Sequence, residues 1–238
     1  MTLSAPARVF GYVAAEADVC VLLRRGPSKW VLMVRWDLKT DEFEVGQWLN
    51  ARVYEDQCDL SPDGQLFVYQ ANDGQYSTRE FGGVYSVVSR PPYFTALAFW
   101  AQGSTHSTGF GWIAYPFGNA SAPTKGTLPD KYRRRLKSRA SRWGWSLTYG
   151  FALPALVRKT SAGQFSRKPR ENSGGIRYEL NGDFLDAQWA DVDHRGRLLF
   201  AREGRIYVRE TSGERELIDL TSYEFRPLEA PNWAKQWP

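Results

Sequence analysis

Histidine and cysteine, which serve most often in metal sites and nucleophilic sites, are scarce in this sequence. The 238 residues include two histidines, His106 and His194, and two cysteines, Cys20 and Cys58. Neither histidine stands at a spacing typical of a metal site or a catalytic triad, and two cysteines are too few for a four-thiolate zinc site. We therefore predict turn or loop positions for the histidines and buried apolar roles for the cysteines.

Motifs of nucleotide-binding and hydrolytic enzymes are also missing from the sequence. There is no Walker loop and no G-x-S-x-G elbow, and Gly109-Phe110-Gly111 lacks the third glycine of a dinucleotide fingerprint. Asp59 and Asp191 resemble paired acids, but each stands next to a turn that it is expected to brace. The sequence thus predicts no catalytic residue, no metal site and no cofactor, and it favours a protein that is not an enzyme.

Positive charge is concentrated in one segment. Residues 131–177 contain thirteen Lys or Arg and a single acidic residue, Glu171, which gives +12 in a chain whose total charge is +5. Such a concentration favours an anionic partner, either a nucleic acid, an acidic protein surface or a phosphate-rich ligand. A solvated basic surface without a specific partner is the alternative.

A cationic helix is predicted at the start of this segment. Thr127 to Asp130 has the hydroxyl, the early proline and the acidic residue of a helix N-terminus, and the pattern continues to Arg142. Ser161 to Gly175 is rich in Ser, Gly and basic residues and predicts a flexible loop. We therefore predict a basic helix and loop insertion over residues 127–177. Its anionic partner would bind Arg133, Arg134, Arg135, Lys137, Arg139 and Arg142.

The element that organises the rest of the chain is a turn. Ser61-Pro62-Asp63-Gly64 combines a proline that presets φ with a glycine that tolerates positive φ, and strand-type residues follow from Leu66. A second copy runs from Asp191 to Phe200, and both copies place an aspartate five residues before a glycine. The predicted structural turn residues are Asp59, Asp63, Gly64, Asp191 and Gly196.

Strand patterns around the two turns predict an all-β protein. Meanders of short strands are expected at about residues 9–49, 53–101 and 184–220, and the 132 residues between Asp59 and Asp191 equal three steps of 44. These lengths are typical of propeller blades, so we predict a single β-propeller-like domain over residues 1–238 with about five four-stranded blades. No repeat is recognisable between Ser121 and Gly182, which leaves an incomplete propeller or an open sandwich as alternatives.

No uninterrupted apolar run approaches the roughly 20 residues that a membrane helix needs, and the N-terminus lacks the pattern of a secretory signal. We expect a cytoplasmic protein without membrane contact. The sequence makes no prediction of the oligomeric state.

The stretch from Asp59 through Ser61-Pro62-Asp63-Gly64 to Leu66 resembles the repeat of TolB-like and WD40-like β-propellers. The wider pattern from Arg24 through Cys58-Asp59-Leu60-Ser61-Pro62 to Ala98 is similar to a group of uncharacterised bacterial proteins. The resemblance to propellers implies a rigid platform for interactions and transfers no active site.

Three functions remain open at this point. A non-catalytic interaction module with a protein partner is favoured by the repeats, the ten tryptophans and the lack of a catalytic set. A nucleic-acid-binding protein is the alternative, because Tyr132, Trp143 and Trp145 accompany the basic 131–177 segment and could stack on bases. A propeller-type hydrolase is the second alternative, which would need acids or histidines from separate blades to converge.

Overall fold

The computed structural model describes residues 7–26, 29–74, 83–101, 123–129, 144–148, 155–169 and 175–238. The predicted all-β class is confirmed for this part of the chain, in which nineteen strands form four antiparallel sheets. Two short 3-10 segments, Glu55–Gln57 and Asn232–Lys235, are the helical elements of the described residues. The described residues include no helix that is long and apolar enough to cross a membrane.

Sheet 1 is a four-stranded meander formed by the first described residues. Its strands lie side by side in chain order: β1 (Arg8–Val13), β2 (Val19–Arg25), β3 (Trp30–Asp37) and β4 (Glu42–Asn50). It corresponds to the meander predicted at residues 9–49, and the polar turn expected after Asp37 joins β3 to β4.

Sheet 2 corresponds to the second predicted meander, with one added strand from further along the chain. Its order is β10-β9-β8-β7-β5, and β6 also pairs with β7. The strands are β5 (Arg52–Val53), β6 (Asp59–Leu60), β7 (Phe67–Asn72), β8 (Val84–Ser89), β9 (Ala96–Ala101) and β10 (Lys125–Gly126).

Sheet 3 overlaps the loop part of the helix and loop insertion predicted over residues 127–177, whereas the predicted helix lies outside the described residues. Its order follows the chain: β11 (Ser146–Thr148), β12 (Ala155–Thr160), β13 (Gly163–Pro169), β14 (Ile176–Leu180) and β15 (Asp183–Leu185). The predicted loop from Ser161 to Gly175 instead includes β13, which is paired on both sides. Hydrogen bonds to β12 and β14 outweigh the weak strand preference of its Gly, Ser and Lys residues.

Sheet 4 matches the predicted meander at residues 184–220. Its strands are β16 (Trp189–Val192), β17 (Leu198–Arg202), β18 (Arg205–Glu210) and β19 (Gly213–Asp219), paired in chain order. The 44-residue spacing of the repeats predicted about five propeller blades. The described residues form four sheets.

Sheet 1 has an apolar core on each of its faces. Along β2, Cys20 and Leu22 belong to a core shared with sheets 3 and 4, whereas Val21 and Leu23 belong to a core shared with sheet 2. Successive side chains of a strand point to opposite faces, so a strand that is covered on both faces needs apolar residues at every position. The continuous apolar run of β2 therefore reflects a sheet packed between two others.

The first sheet also contacts the last one directly. Strand β1 packs against β16 and β17, and Gly11 lies against the indole of Trp189. Arg24 in β2 donates hydrogen bonds to the carbonyl oxygens of Leu220 and Thr221, both at 3.1 Å. At the other end of the sheets, Arg197 forms an ion pair with Asp41, with 2.9 Å between nitrogen and oxygen.

The C-terminal segment, residues 220–238, crosses from sheet 4 over sheet 1 to sheet 2. Phe225 stacks on Trp30 of β3 with ring centroids 4.1 Å apart. The side chain of Gln47 in β4 donates to the carbonyl oxygen of Leu228 at 2.9 Å. Arg90, which follows β8, donates to the carbonyl oxygen of Trp233 at 2.8 Å and lies over its ring. This segment therefore fastens three of the four sheets together.

The two turns that organise the sequence have similar but not identical geometry. Gly64 and Gly196 both adopt positive φ, +72° and +79°, and each donates its N–H to the carbonyl oxygen three residues earlier. The Asp63 carboxylate accepts from the backbone N–H of Gln65 at 3.1 Å. In the second copy Asp193 performs this task, accepting from the N–H groups of Arg195 and Arg197. The strand pairing differs by one residue, because Asp59 faces Val68 whereas Asp191 faces Leu199.

The environment of Gly64 predicts a graded effect of a β-branched side chain. Gly64 and Gly74 have nearly equal φ values, +72° and +75°, but a Cβ on Gly64 would lie 2.9 Å from Val19 Cβ whereas one on Gly74 meets no described atom within 4 Å. Gly74→Val should cost about 1 kcal/mol from backbone strain. Gly64→Val should cost about 1 kcal/mol more because of the added overlap. Urea unfolding of both variants measures the difference, and equal losses would contradict this packing of the turn on β2.

Candidate functional site

All four sheets contribute to one cavity, which we call the four-sheet cavity. Its volume is about 170 Å³. Sheet 1 contributes residues of β1, sheet 2 the segment between β5 and β6, sheet 3 residues of β13 and β14, and sheet 4 the start of β16. The polar and aromatic side chains that define its chemistry are Arg8, Tyr12, Glu55, Asp56, Arg167 and Trp189. Two further pockets, one beside the C-terminal segment and one beside β17 and β18, are each lined by fewer sheets.

Two adjacent carboxyl groups form the acidic side of the cavity. Glu55 is paired with Arg25 at 2.6 Å, and its backbone carbonyl oxygen accepts a hydrogen bond from the Tyr12 hydroxyl at 2.8 Å. Asp56 is exposed to solvent overall. The protein packed around its carboxyl group nevertheless disfavours the charged carboxylate. Burial raises the pKa of Asp56, Arg167 opposes that rise and Glu55 adds to it, so the net shift is upward.

Two guanidinium groups form the basic side. Arg8 is exposed at the start of β1, whereas Arg167 in β13 is 7% exposed. The Arg167 guanidinium lies 5.3 Å from the ring centroid of Tyr178 and 5.9 Å from that of Trp145, within the range of cation–π attraction. The described charged side chains that line the cavity are therefore Arg8, Arg167, Asp56 and Glu55, and Glu55 is paired with Arg25.

Two buried polar atoms stand beside these charges at the start of sheet 4. Neither Gln188 Oε1 nor Trp189 Nε1 has a hydrogen-bond partner among the described residues, and Trp189 is only 1% exposed. A buried donor or acceptor that loses its partner costs about 1–3 kcal/mol. The protein therefore keeps one acceptor and one donor at the cavity wall that its own described groups do not satisfy.

The one cysteine in the cavity wall is not arranged as a nucleophile. Burial raises the pKa of the Cys58 thiol, whose Sγ donates to the carbonyl oxygen of Tyr54 at 3.2 Å. A cysteine nucleophile needs an accessible thiolate, which this environment disfavours. The described residues contain no group of three or more His, Cys, Asp or Glu arranged to hold a metal ion.

The structure places some of the predicted site residues outside the part of the chain that it describes. The predicted partner-binding residues lie within the undescribed stretch 130–143, as does the predicted helix after Pro129, and His106 lies in another undescribed stretch. His194 lies in a turn as predicted, with Nε2 3.1 Å from the carbonyl oxygen of Ala14. Cys20 and Cys58 are both buried, as predicted, and neither forms a disulfide.

The aspartate at the start of the second repeat has more than a local role. Asp59 and Asp191 each accept a hydrogen bond from the backbone N–H of the next residue, both at 2.9 Å. The Asp191 carboxylate also pairs with Arg158 of β12, and both residues are almost fully buried. Asp191 therefore joins sheet 4 to sheet 3, a long-range contact that the repeat pattern does not indicate.

Several residues counted in the +12 segment are engaged inside the fold. Five of its thirteen basic residues are described, and two of these, Arg158 and Arg167, are buried. Lys168 and Arg177 both pair with Glu179, at 2.5 Å and 2.9 Å. The sequence count therefore overestimated the positive charge that this segment presents to a partner.

The buried Arg158–Asp191 pair predicts unequal effects of the same substitution in the two repeats. Asp191→Asn keeps the acceptor for the Val192 N–H but leaves Arg158 as a buried charge without its carboxylate, so it should cost about 3 kcal/mol. Asp59→Asn is the matched control and should cost under about 1 kcal/mol, because Asp59 is only half-buried. Chemical denaturation of both variants provides the comparison. Losses of equal size would show that the ion pair contributes little to the contact between sheets 3 and 4.

Comparison with known proteins leaves the family of this chain open. No protein-family model matches the sequence, and no curated protein matches it. Among solved structures, the chain is similar to a crystal structure of the polysaccharide lyase Uly1, with 11% sequence identity and a TM-score of 0.22. The match covers 95% of this chain and 49% of that one, so this chain spans about half the length of the lyase. A likeness this weak supports no conclusion about fold or activity.

Proposed function

We propose that this chain is a non-catalytic interaction module that binds a protein partner on a rigid, β-propeller-like scaffold. Three features support the propeller-like arrangement: each sheet is an antiparallel meander built mainly from one stretch of chain, sheet 1 packs between sheets 2 and 4, and all four sheets line one cavity. The turn at Ser61-Pro62-Asp63-Gly64, which is similar to those of TolB-like and WD40-like repeats, supports the same arrangement.

The observation that carries the proposed protein partner is a set of exposed apolar side chains in the C-terminal segment. Phe225, Leu228 and Trp233 are 46%, 45% and 44% exposed and lie within nine residues of one another. The segment is held down at both ends by Arg24 and Arg90, so these side chains are presented from a fixed backbone. Aromatic and arginine residues on a fixed surface are typical of the central part of protein interfaces.

The alternative of nucleic-acid binding has less support from the described residues. Lys168 and Arg177 contact Glu179, while Arg158 and Arg167 are buried, so these four offer little to a phosphate backbone. A nucleic acid would have to rely on the exposed Lys159 and on the basic residues of the segment that are not described, which are those at 131–142 and Arg170. That alternative becomes an outcome of the experiments below.

Affinity purification from the native host, with and without nuclease, tests the proposed partner. A partner protein should be recovered in both preparations. Leu228→Ser should reduce its recovery at least tenfold, because a buried apolar anchor at an interface is worth about 1.5 kcal/mol or more. Phe184→Ser is the matched control, since Phe184 is 54% exposed in β15 of sheet 3 and stands apart from the C-terminal segment. Recovery that disappears with nuclease would replace the protein partner by a nucleic acid.

The predicted basic helix gives a second test. Replacing Arg133, Arg134, Arg135 and Lys137 together by Gln should leave stability unchanged and slow association with an acidic partner, with a weaker dependence on salt. Replacing Arg202, Arg205, Arg209 and Arg215 of sheet 4 removes the same charge and serves as the control. Stopped-flow or surface-plasmon kinetics at several salt concentrations report the rates. Equal slowing by both variants would mean that net charge matters and that the helix has no specific role.

A further inference from the structure

A groove lies between β4, the last strand of sheet 1, and the C-terminal segment, and we call it the β4 groove. Strand β4 contributes Val45, Gly46 and Trp48 to its wall, and the C-terminal segment contributes residues 222–224 and 226–228. Its volume of about 650 Å³ lies within the roughly 300–1,000 Å³ that is typical of ligand pockets. Val45 is 39% exposed and Leu228 45%, so a partner can reach the groove from solvent.

The backbone of the C-terminal segment is almost unpaired beside this groove. Residues 223–230 run without a helix, strand, turn or bend. Of their backbone groups, the carbonyl oxygen of Leu228 is the one that bonds to another described residue, Gln47. A row of free N–H and C=O groups on such a chain is a template on which a further strand can pair. Pro227 has no N–H, so one donor is missing from the row.

Side chains at alternate positions of this segment pack on the body of the protein. Tyr223 contacts the core shared by sheets 1, 3 and 4, and Phe225 stacks on Trp30. Glu224 and Arg226, the residues that flank Phe225, are exposed and line the β4 groove. The segment therefore has the period of two that a strand has, and its even-numbered positions can meet a partner.

The side chains at these positions indicate the chemistry of the partner. Glu224 and Arg226 form no ion pair or hydrogen bond with the described part of the chain. Their complements on an added strand are a basic residue opposite Glu224 and an acidic residue opposite Arg226. Leu228, two residues further on, lines the groove together with Val45 and Trp48, which favours a large apolar residue at the third position.

We propose that the β4 groove binds an extended peptide of the partner protein, which pairs with the backbone of residues 223–229 as an added strand. The peptide carries a large apolar, an acidic and a basic residue at alternate positions, and the acidic residue is the middle one in either chain direction. An extended backbone is the partner that matches a row of alternating donors and acceptors. This inference rests on the proposed function, because Leu228 belongs to the surface assigned to the protein partner.

A phage-displayed library of random octapeptides, panned against the immobilised full chain, tests the proposal. The selected peptides should share the pattern of three alternate residues. The most strongly selected peptide, synthesised with a fluorescent label, should bind saturably in fluorescence polarisation with a Kd of about 100 μM or tighter. A selection that yields no saturably binding peptide, or peptides without the pattern, would overturn the proposal.

A charge exchange locates the bound peptide. Glu224→Lys should weaken binding about fivefold or more, because repulsion replaces attraction across the two strands. A peptide whose basic residue is replaced by Glu should regain the lost affinity on this variant. Asp186→Lys makes the same change of charge at an exposed residue outside the groove and should leave the affinity unchanged. Equal losses in the two variants, or no recovery with the exchanged peptide, would contradict the proposal.

Methylation of the peptide backbone tests the pairing itself. Along a strand, the N–H groups of alternate residues point toward the same neighbouring strand. Methylation of one alternate set of peptide nitrogens should therefore abolish binding, whereas methylation of the other set should be tolerated. Equal effects of the two sets would exclude an added strand.

Failure of this proposal and failure of the proposed function can be told apart. If the partner protein is recovered and is lost with Leu228→Ser, but no selected peptide displaces it, the partner binds through a folded surface and the extended peptide is wrong. If selected peptides bind with the expected charge exchange but no partner protein is recovered from the host, the peptide site stands and the proposed function fails.

Discussion

The close approach of Gly11 to Trp189 is the contact on which the arrangement of the sheets depends. A Cβ at position 11 would lie 2.3 Å from a carbon of the indole ring, a distance that real side chains do not tolerate. Because residue 11 is a glycine, the backbone of β1 can lie directly against the ring. Sheet 1 thereby packs against sheet 4. The same two residues line the four-sheet cavity, so the contact also defines one of its walls.

Arginines make most of the remaining connections between sheets. Arg24 joins sheet 1 to the end of sheet 4, Arg158 joins sheet 3 to sheet 4, and Arg197 joins sheet 4 to the turn after β3. Each guanidinium can bond several carboxylate or carbonyl oxygens at once, which suits a junction where the ends of strands leave carbonyl groups without partners in the sheets. Replacing one partner leaves a buried charge, so these junctions tolerate substitution poorly.

The proposed interaction surface and the four-sheet cavity differ in kind. The surface consists of large apolar side chains on a segment that is fastened across sheets 1 and 2, which suits a broad contact with another protein. The cavity is small and is lined by charged and aromatic side chains from all four sheets. The proposed surface uses the rigidity of the scaffold, because a surface that is already fixed need not be ordered when the partner binds.

The sequence by itself determined the all-β class and three of the meanders. Local chemistry was sufficient there, because turns such as Ser61 to Gly64 and alternating strands such as β18 depend on neighbouring residues. Sheet 3 carried one comparable signal that went unused, the Asn181-Gly182 pair. Both of its residues adopt positive φ, as a two-residue hairpin turn requires.

Only the tertiary structure decided which charges are outside and where the site lies. Arg158 and Arg167 are indistinguishable in sequence from their exposed neighbour Lys159, because burial depends on what packs against β12 and β13 from elsewhere in the chain. The four-sheet cavity likewise joins residues from Arg8 to Trp189 that share no motif or spacing. Strand formation is governed by contacts between near neighbours in the chain, whereas a site between sheets is governed by contacts between distant residues, which one sequence does not reveal.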